Sequence, residues 1–101
     1  MAMEINRLNP TCFLYNKLMF YVYVLQSLKD KKLYIGYSAD LKRRLEEHKT
    51  GGSVSTKKRL PFKLLYYEAH TNKEDARRRE KYFKTEKGKS TIRQMLRNAL
   101  K

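Results

Sequence analysis

The chain has 101 residues, with 24 Lys and Arg against 10 Asp and Glu, for a net charge of +14. That length makes one domain rather than two, and a charge so far from zero destabilises a compact state unless a polyanion is the usual partner. The cations run along the whole chain and no stretch approaches the ~20 apolar residues of a membrane span, so nucleic acid is the expected partner and a membrane is not.

A single cysteine, Cys12, excludes an intrachain disulfide and suits the cytoplasm, and no cysteine-histidine cluster is available for structural zinc. Residues 1–18 show no clean period, contain the breaker Asn9-Pro10 and precede a second methionine, Met19. They lack the apolar run and small-residue cleavage site of a signal peptide and read as an extension or arm. Residues 19–101 read as the domain.

Residues 20–26 are β-branched and aromatic, which predicts a strand with Tyr21, Tyr23 and Leu25 on one face. The polar turn Leu28-Lys29-Asp30-Lys31 leads to a second strand over 32–36, and so short a link predicts an antiparallel hairpin. Ser38 is the expected N-cap of a helix to about residue 48, closed by Gly51-Gly52-Ser53. A basic loop containing Lys57, Lys58 and Arg59 follows, and these three are expected to touch backbone phosphates. Residues 62–68 read as a third strand, and Thr71 with Glu74 as a capping box opening a second helix. Gly88 is expected to stop that helix and Ser90 to cap a last one. The fold class is therefore α/β in the broad sense, α+β in detail: a small three-stranded sheet with antiparallel pairing, flanked by helices in the order β-β-α-β-α-α.

A helix turns about 100° per residue. Taking Leu41 as the origin puts Leu45 about 40° to one side, His48 about 20° and Arg44 about 60° to the other. Arg44 and His48 thus border the buried stripe, while Arg43, Lys42, Glu46 and Glu47 face solvent. Arg44 is the arginine suited to hold a phosphate, with burial of its stem beside a carboxylate as the plainer reading. On the second helix Glu80 falls between Ala76 and Phe83, at the edge of the core, where a bare carboxylate is costly. Its expected compensation is Arg44 or a bound cation. Tyr23 and Tyr34 are two of eight tyrosines, most of which must be packing residues; in a cationic cleft, nearby charge is expected to favour the phenolate. His48 could then accept a proton from, or hydrogen-bond to, such a phenol. His70 is expected to be an exposed turn residue.

These residues together resemble the GIY-YIG nuclease family, and within it the small stand-alone bacterial members. Val22-Tyr23 takes the place of the Ile-Tyr of the first motif, with Tyr21 where the glycine would stand, and Tyr34-Ile35-Gly36 is the second motif verbatim. Ser38-Ala39-Asp40-Leu41 followed by Arg44 and His48 is similar to the helix carrying the family's arginine and frequent histidine. Arg79-Glu80 with Lys84 resembles its metal-binding helix. Where larger members carry an asparagine after that glutamate, residues 85–94 hold none. The resemblance implies an endonuclease, with DNA favoured over RNA, that hydrolyses phosphodiesters with one Mg²⁺ or Mn²⁺ ion on Glu80. It implies Tyr23 as general base assisted by His48, Tyr34 on the phosphate or water, and Arg44 on the phosphate oxygens. A basic nucleic-acid-binding module without catalysis is the alternative reading.

Overall fold

Three strands, β1 (Phe20–Ser27), β2 (Leu33–Ser38) and β3 (Phe62–His70), form one antiparallel sheet in the computed structural model, which describes residues 19–52 and 60–101. Strand order is β2-β1-β3, so β1 is central and hydrogen-bonded along both edges. Helix α1 (Leu41–Thr50) connects β2 to β3, and α2 (Lys73–Phe83) and α3 (Glu86–Met95) follow β3. This is the α+β order β-β-α-β-α-α that the sequence predicts. The arm over residues 1–18 and the loop cations Lys57, Lys58 and Arg59 lie outside the described residues.

The period-two reading of β1 foresees one buried face, yet Val22, Tyr23, Val24 and Leu25 are all buried. Helices cover both faces of the sheet, which is the reason. Val22, Val24 and Ile35 pack with Ala76 and Phe83 of α2 and Ile92 of α3 into the main core. Tyr23 faces the other way, against His48 of α1. Burying a side chain the size of Phe83 or Ile92 contributes about 1.5–3 kcal/mol, a large share for so small a domain. A shift of register on β3 opposite Val24 and Leu25 leaves Leu65 as the extra residue of a bulge.

No helix is capped by the expected residue; α1 and α2 are capped by near neighbours of it, and α3 starts a full turn earlier than expected. Asp40, not Ser38, caps α1 by accepting from the Arg43 amide, while the Ser38 hydroxyl forms a turn with the Asp40 backbone. Asn72, not Thr71, caps α2 and accepts from the Asp75 amide. Gly88 does not stop a helix and Ser90 does not cap one. Thr85 caps α3, and Gly88 lies inside it, buried where a Cβ would overlap the Tyr82 carbonyl. α1 ends at Gly51, whose φ of 80° is left-handed and suits glycine. No helix among the described residues is long and apolar enough to cross a membrane.

Candidate active site

The hairpin register brings the two tyrosine motifs together. Tyr23 pairs with Gly36 across β1 and β2, and Leu25 pairs with Tyr34, so all four residues belong to one face. The Tyr23 ring lies directly over Gly36: a Cβ there would overlap the phenol and come within 2.7 Å of its Cε1. Tyr23 is fully buried and cannot swing aside. The glycine of Tyr34-Ile35-Gly36 is therefore the space into which Tyr23 folds.

The stripe of α1 then delivers His48 onto this phenol. Its Nε2 lies 2.8 Å from the Tyr23 hydroxyl oxygen. Tyr23, Tyr34 and Phe62 surround the imidazole edge-on, with ring centroids 5.7, 5.3 and 6.1 Å away. Burial in this cage, reinforced by the Arg44 charge and opposed by Glu47, holds the imidazole below its usual range. The Arg44 guanidinium, on the same helix, acts on the Tyr23 phenol and favours its ionised form. The phenol and the imidazole share one proton in their hydrogen bond, and the ring tautomer sets which of them donates it.

The expected phenolate is not what this environment favours. Burial pushes the Tyr23 phenol up, and the Arg44 guanidinium offsets only part of that. Tyr34 and Glu80 add to the upward push. Desolvation outweighs one nearby cation because the ring is wholly inside, so the resting phenol is neutral.

The helical reading separates Arg44 from Arg43 correctly. Arg44 keeps 34% of its side chain exposed against 65% for Arg43. Glu47, expected in solvent, is half-buried and joins both, accepting from Arg44 at 2.9 Å and from Arg43 at 2.8 Å. The i,i+3 and i,i+4 spacings were the available signal for it. Arg44 is thus the meeting point of one carboxylate and one phenol.

Glu80 is held at the edge of the core with its side chain 17% exposed, as its helical angle requires. Its observed partner is neither expected candidate. Lys84, one turn on, donates to Oε2 at 3.0 Å. An i,i+4 pair with an exposed lysine is weak, about 0.3–0.5 kcal/mol, and leaves the carboxylate open to exchange. Among the described residues no group of three or more His, Cys, Asp or Glu gathers around it. A lone carboxylate fits a hard cation such as Mg²⁺, which keeps most of its waters and takes one or two protein oxygens. It does not fit a metal demanding a full protein cage.

His70 is the last residue of β3 rather than an exposed turn residue. Its Nε2 lies 2.7 Å from Glu68 Oε2. Glu68 also accepts from Tyr66 at 2.8 Å and from Arg79 at 2.9 Å. Burial raises the Glu68 carboxyl, but the bonds from His70, Tyr66 and Arg79 outweigh it and hold it below the usual range. This knot ties α2 to β3 one residue away from Glu80. Tyr66, Glu68 and His70 alternate along one face of β3, which was the available signal; sequence reasoning missed the knot because its fourth member, Arg79, comes from α2.

Residues 19–94 match the GIY-YIG catalytic domain. Among similar proteins, a UPF0213 protein of Streptococcus agalactiae is 51% identical over 69 residues, which are 67% of this chain and 77% of that protein. A UPF0213 protein of Streptococcus pyogenes serotype M3 is 49% identical over 71 residues, 69% of this chain and 76% of that one. The solution structure of a UPF0213 protein from Bacillus halodurans is 35% identical with a TM-score of 0.49, covering 76% of this chain and 84% of its own. With the two tyrosine strands, the arginine helix and the glutamate helix all inside the matched segment, the chain belongs to the GIY-YIG family.

Proposed function

We propose that the protein is a divalent-metal-dependent endonuclease of the cytoplasm that hydrolyses phosphodiester bonds, with DNA as its substrate. The observation that carries the reading is the buried hydrogen bond between the Tyr23 phenol and His48 Nε2, with the half-buried Arg44 and the Glu80 carboxylate both acting on the same phenol by charge. A structural role needs no such convergence of a forked cation, a phenol, a neutral imidazole and an acid.

In this reading the phosphate draws the Arg44 guanidinium from Glu47, and its planar fork takes two phosphate oxygens. Tyr23 has no exposed surface at rest, so this reading requires the same movement to open its hydroxyl to water. Tyr23 then accepts a proton from the attacking water as it passes its own to His48 Nε2. The lowered imidazole is neutral and ready to receive it. Tyr34 orients the water or the phosphate. Glu80 would hold one Mg²⁺ or Mn²⁺ in exchange for Lys84; when bound, that ion supplies charge stabilisation at the leaving 3′ oxygen. Products carry 5′-phosphate and 3′-hydroxyl ends.

The test is incubation with end-labelled DNA and Mg²⁺, followed by end analysis. Products that a ligase rejoins support the reading; no cleavage of any DNA or RNA under any divalent ion removes it. The Glu80–Lys84 pair favours the second reading, a nucleic-acid-binding module without catalysis, if that pair persists in the presence of metal.

A further inference from the structure

Beside the candidate active site, on the same sheet face, is a second feature that the hydrolytic reading does not use. Tyr67 of β3 is 52% exposed, more than Leu28, Leu64 or Met95. It pairs with Tyr23 in register and sits diagonally from Tyr21, whose own partner is the small Ala69. The Tyr21 and Tyr67 rings lie 6.2 Å apart at 59°. With Ala39, Leu41, Lys42, Leu45 and Leu64 they line an open cavity of about 620 Å³.

Arg44 and Leu45 lie on either side of Leu41 and about 100° apart around α1, so the cavity opens on the flank of that helix next to the arginine. A helix with side chains is about 10–12 Å across, so a nucleic-acid strand reaches from one to the other within a few nucleotides. Lys42 supplies a cation at the rim. The one acid there, Asp40, is engaged with the Arg43 amide and guanidinium. An exposed aromatic surface costs solubility unless something covers it. Its size, one neighbouring cation and a neutralised acid suit a planar base carried on a phosphate strand.

We propose that Tyr67, supported by Tyr21, is a stacking platform for an unpaired nucleobase, so that the substrate is single-stranded or carries unpaired nucleotides near the cut. This rests on the nuclease reading for its substrate, but its own claim concerns binding alone. A base in a duplex keeps its faces stacked on its neighbours and cannot lie on Tyr67; an unpaired base can. Stacking of this kind is tolerant of sequence.

The experiment measures binding in a chelating buffer, where cleavage is off, by anisotropy of labelled strands. The probes are a single-stranded oligodeoxynucleotide, the same strand annealed to its complement, and an abasic strand of equal length. The full-length protein should bind the base-bearing single strand about 5- to 150-fold tighter than the abasic strand. Tyr67→Ala and Tyr67→Leu should erase that preference with an unchanged salt dependence, since no phosphate contact is lost. Tyr67→Phe should keep it, which separates stacking from general apolar packing. Equal affinity of the parent for base-bearing and abasic strands, or a preference that survives Tyr67→Ala, overturns the proposal. So does sedimentation showing that Tyr67→Ala only splits a dimer of this chain. Failure of cleavage together with a Tyr67-dependent base preference would overturn the nuclease reading and leave the platform standing.

Discussion

Arg43 and Arg44 are adjacent and identical in chemistry, yet they do different work. Arg44 acts on the buried phenol, while Arg43 pairs with Asp40 and Glu47 in solvent. If Arg44 holds the scissile phosphate, Arg44→Ala should reduce cleavage by about 10²–10³, the loss typical of one preorganised donor. Arg43→Ala should weaken binding slightly and leave the single-turnover rate unchanged. Arg44→Lys should fail almost as badly, because a point charge does not reproduce the planar fork.

His48 supplies the pH dependence, and its sign is fixed by the direction of its shift. Burial first, and then the Arg44 charge, lower the imidazole below 6.5. The folded chain therefore binds fewer protons on this ring than the unfolded chain. The associated stability is complete above about 6.5 and is lost as pH falls through the lowered folded value. Both kcat/KM for cleavage and the urea midpoint should fall together on acidification through this window. His48→Gln should flatten the stability component. The Tyr23 phenol, raised by burial, acts at the other end: its contribution is present below about 10 and lost as pH rises through its folded value.

At the scale of elements, sequence reasoning found every strand and helix of the described residues but misassigned each helix start. Ser38 and Thr71 are good caps by type, and their neighbours Asp40 and Asn72 are equally good. Side-chain chemistry cannot choose among such neighbours; the backbone direction entering the helix does. The start of α3 is misplaced for another reason: reading Gly88 as a helix stop passes over Thr85 before it. Gly88 shows the same limit from the packing side. Ala is favoured over Gly inside a helix by about 1 kcal/mol, so local propensity alone predicts that Gly88→Ala stabilises α3. A Cβ at this position would overlap the Tyr82 carbonyl, which is backbone and cannot yield cheaply. We expect Gly88→Ala to destabilise instead, by about 1–3 kcal/mol, read from chemical denaturation.

At the scale of the whole molecule, strand and helix periodicities carried the sheet, the helix order and the placement of Arg44 and His48 beside the buried stripe. That Tyr23 and Tyr34 join them in one site is what the resemblance implies. The sequence did not carry the protonation of Tyr23, because desolvation depends on three elements closing over one ring. Nor did it carry the Glu80–Lys84 pair, although the i,i+4 spacing was visible, because Arg44 looked the stronger partner until the fold assigned it to Glu47 and Tyr23.

The most direct measurement is a Mg²⁺ titration of DNA cleavage by the parent chain and by Glu80→Ala, with binding followed in parallel. The parent should show saturable, metal-dependent cleavage. Glu80→Ala should lose it by about 10²-fold or more while binding DNA at least as tightly, since a carboxylate that repels phosphate has been removed. Its stability should change little, because only a weak pair with Lys84 is lost. Cleavage that ignores Mg²⁺, or that survives intact in a folded Glu80→Ala protein, would contradict the account.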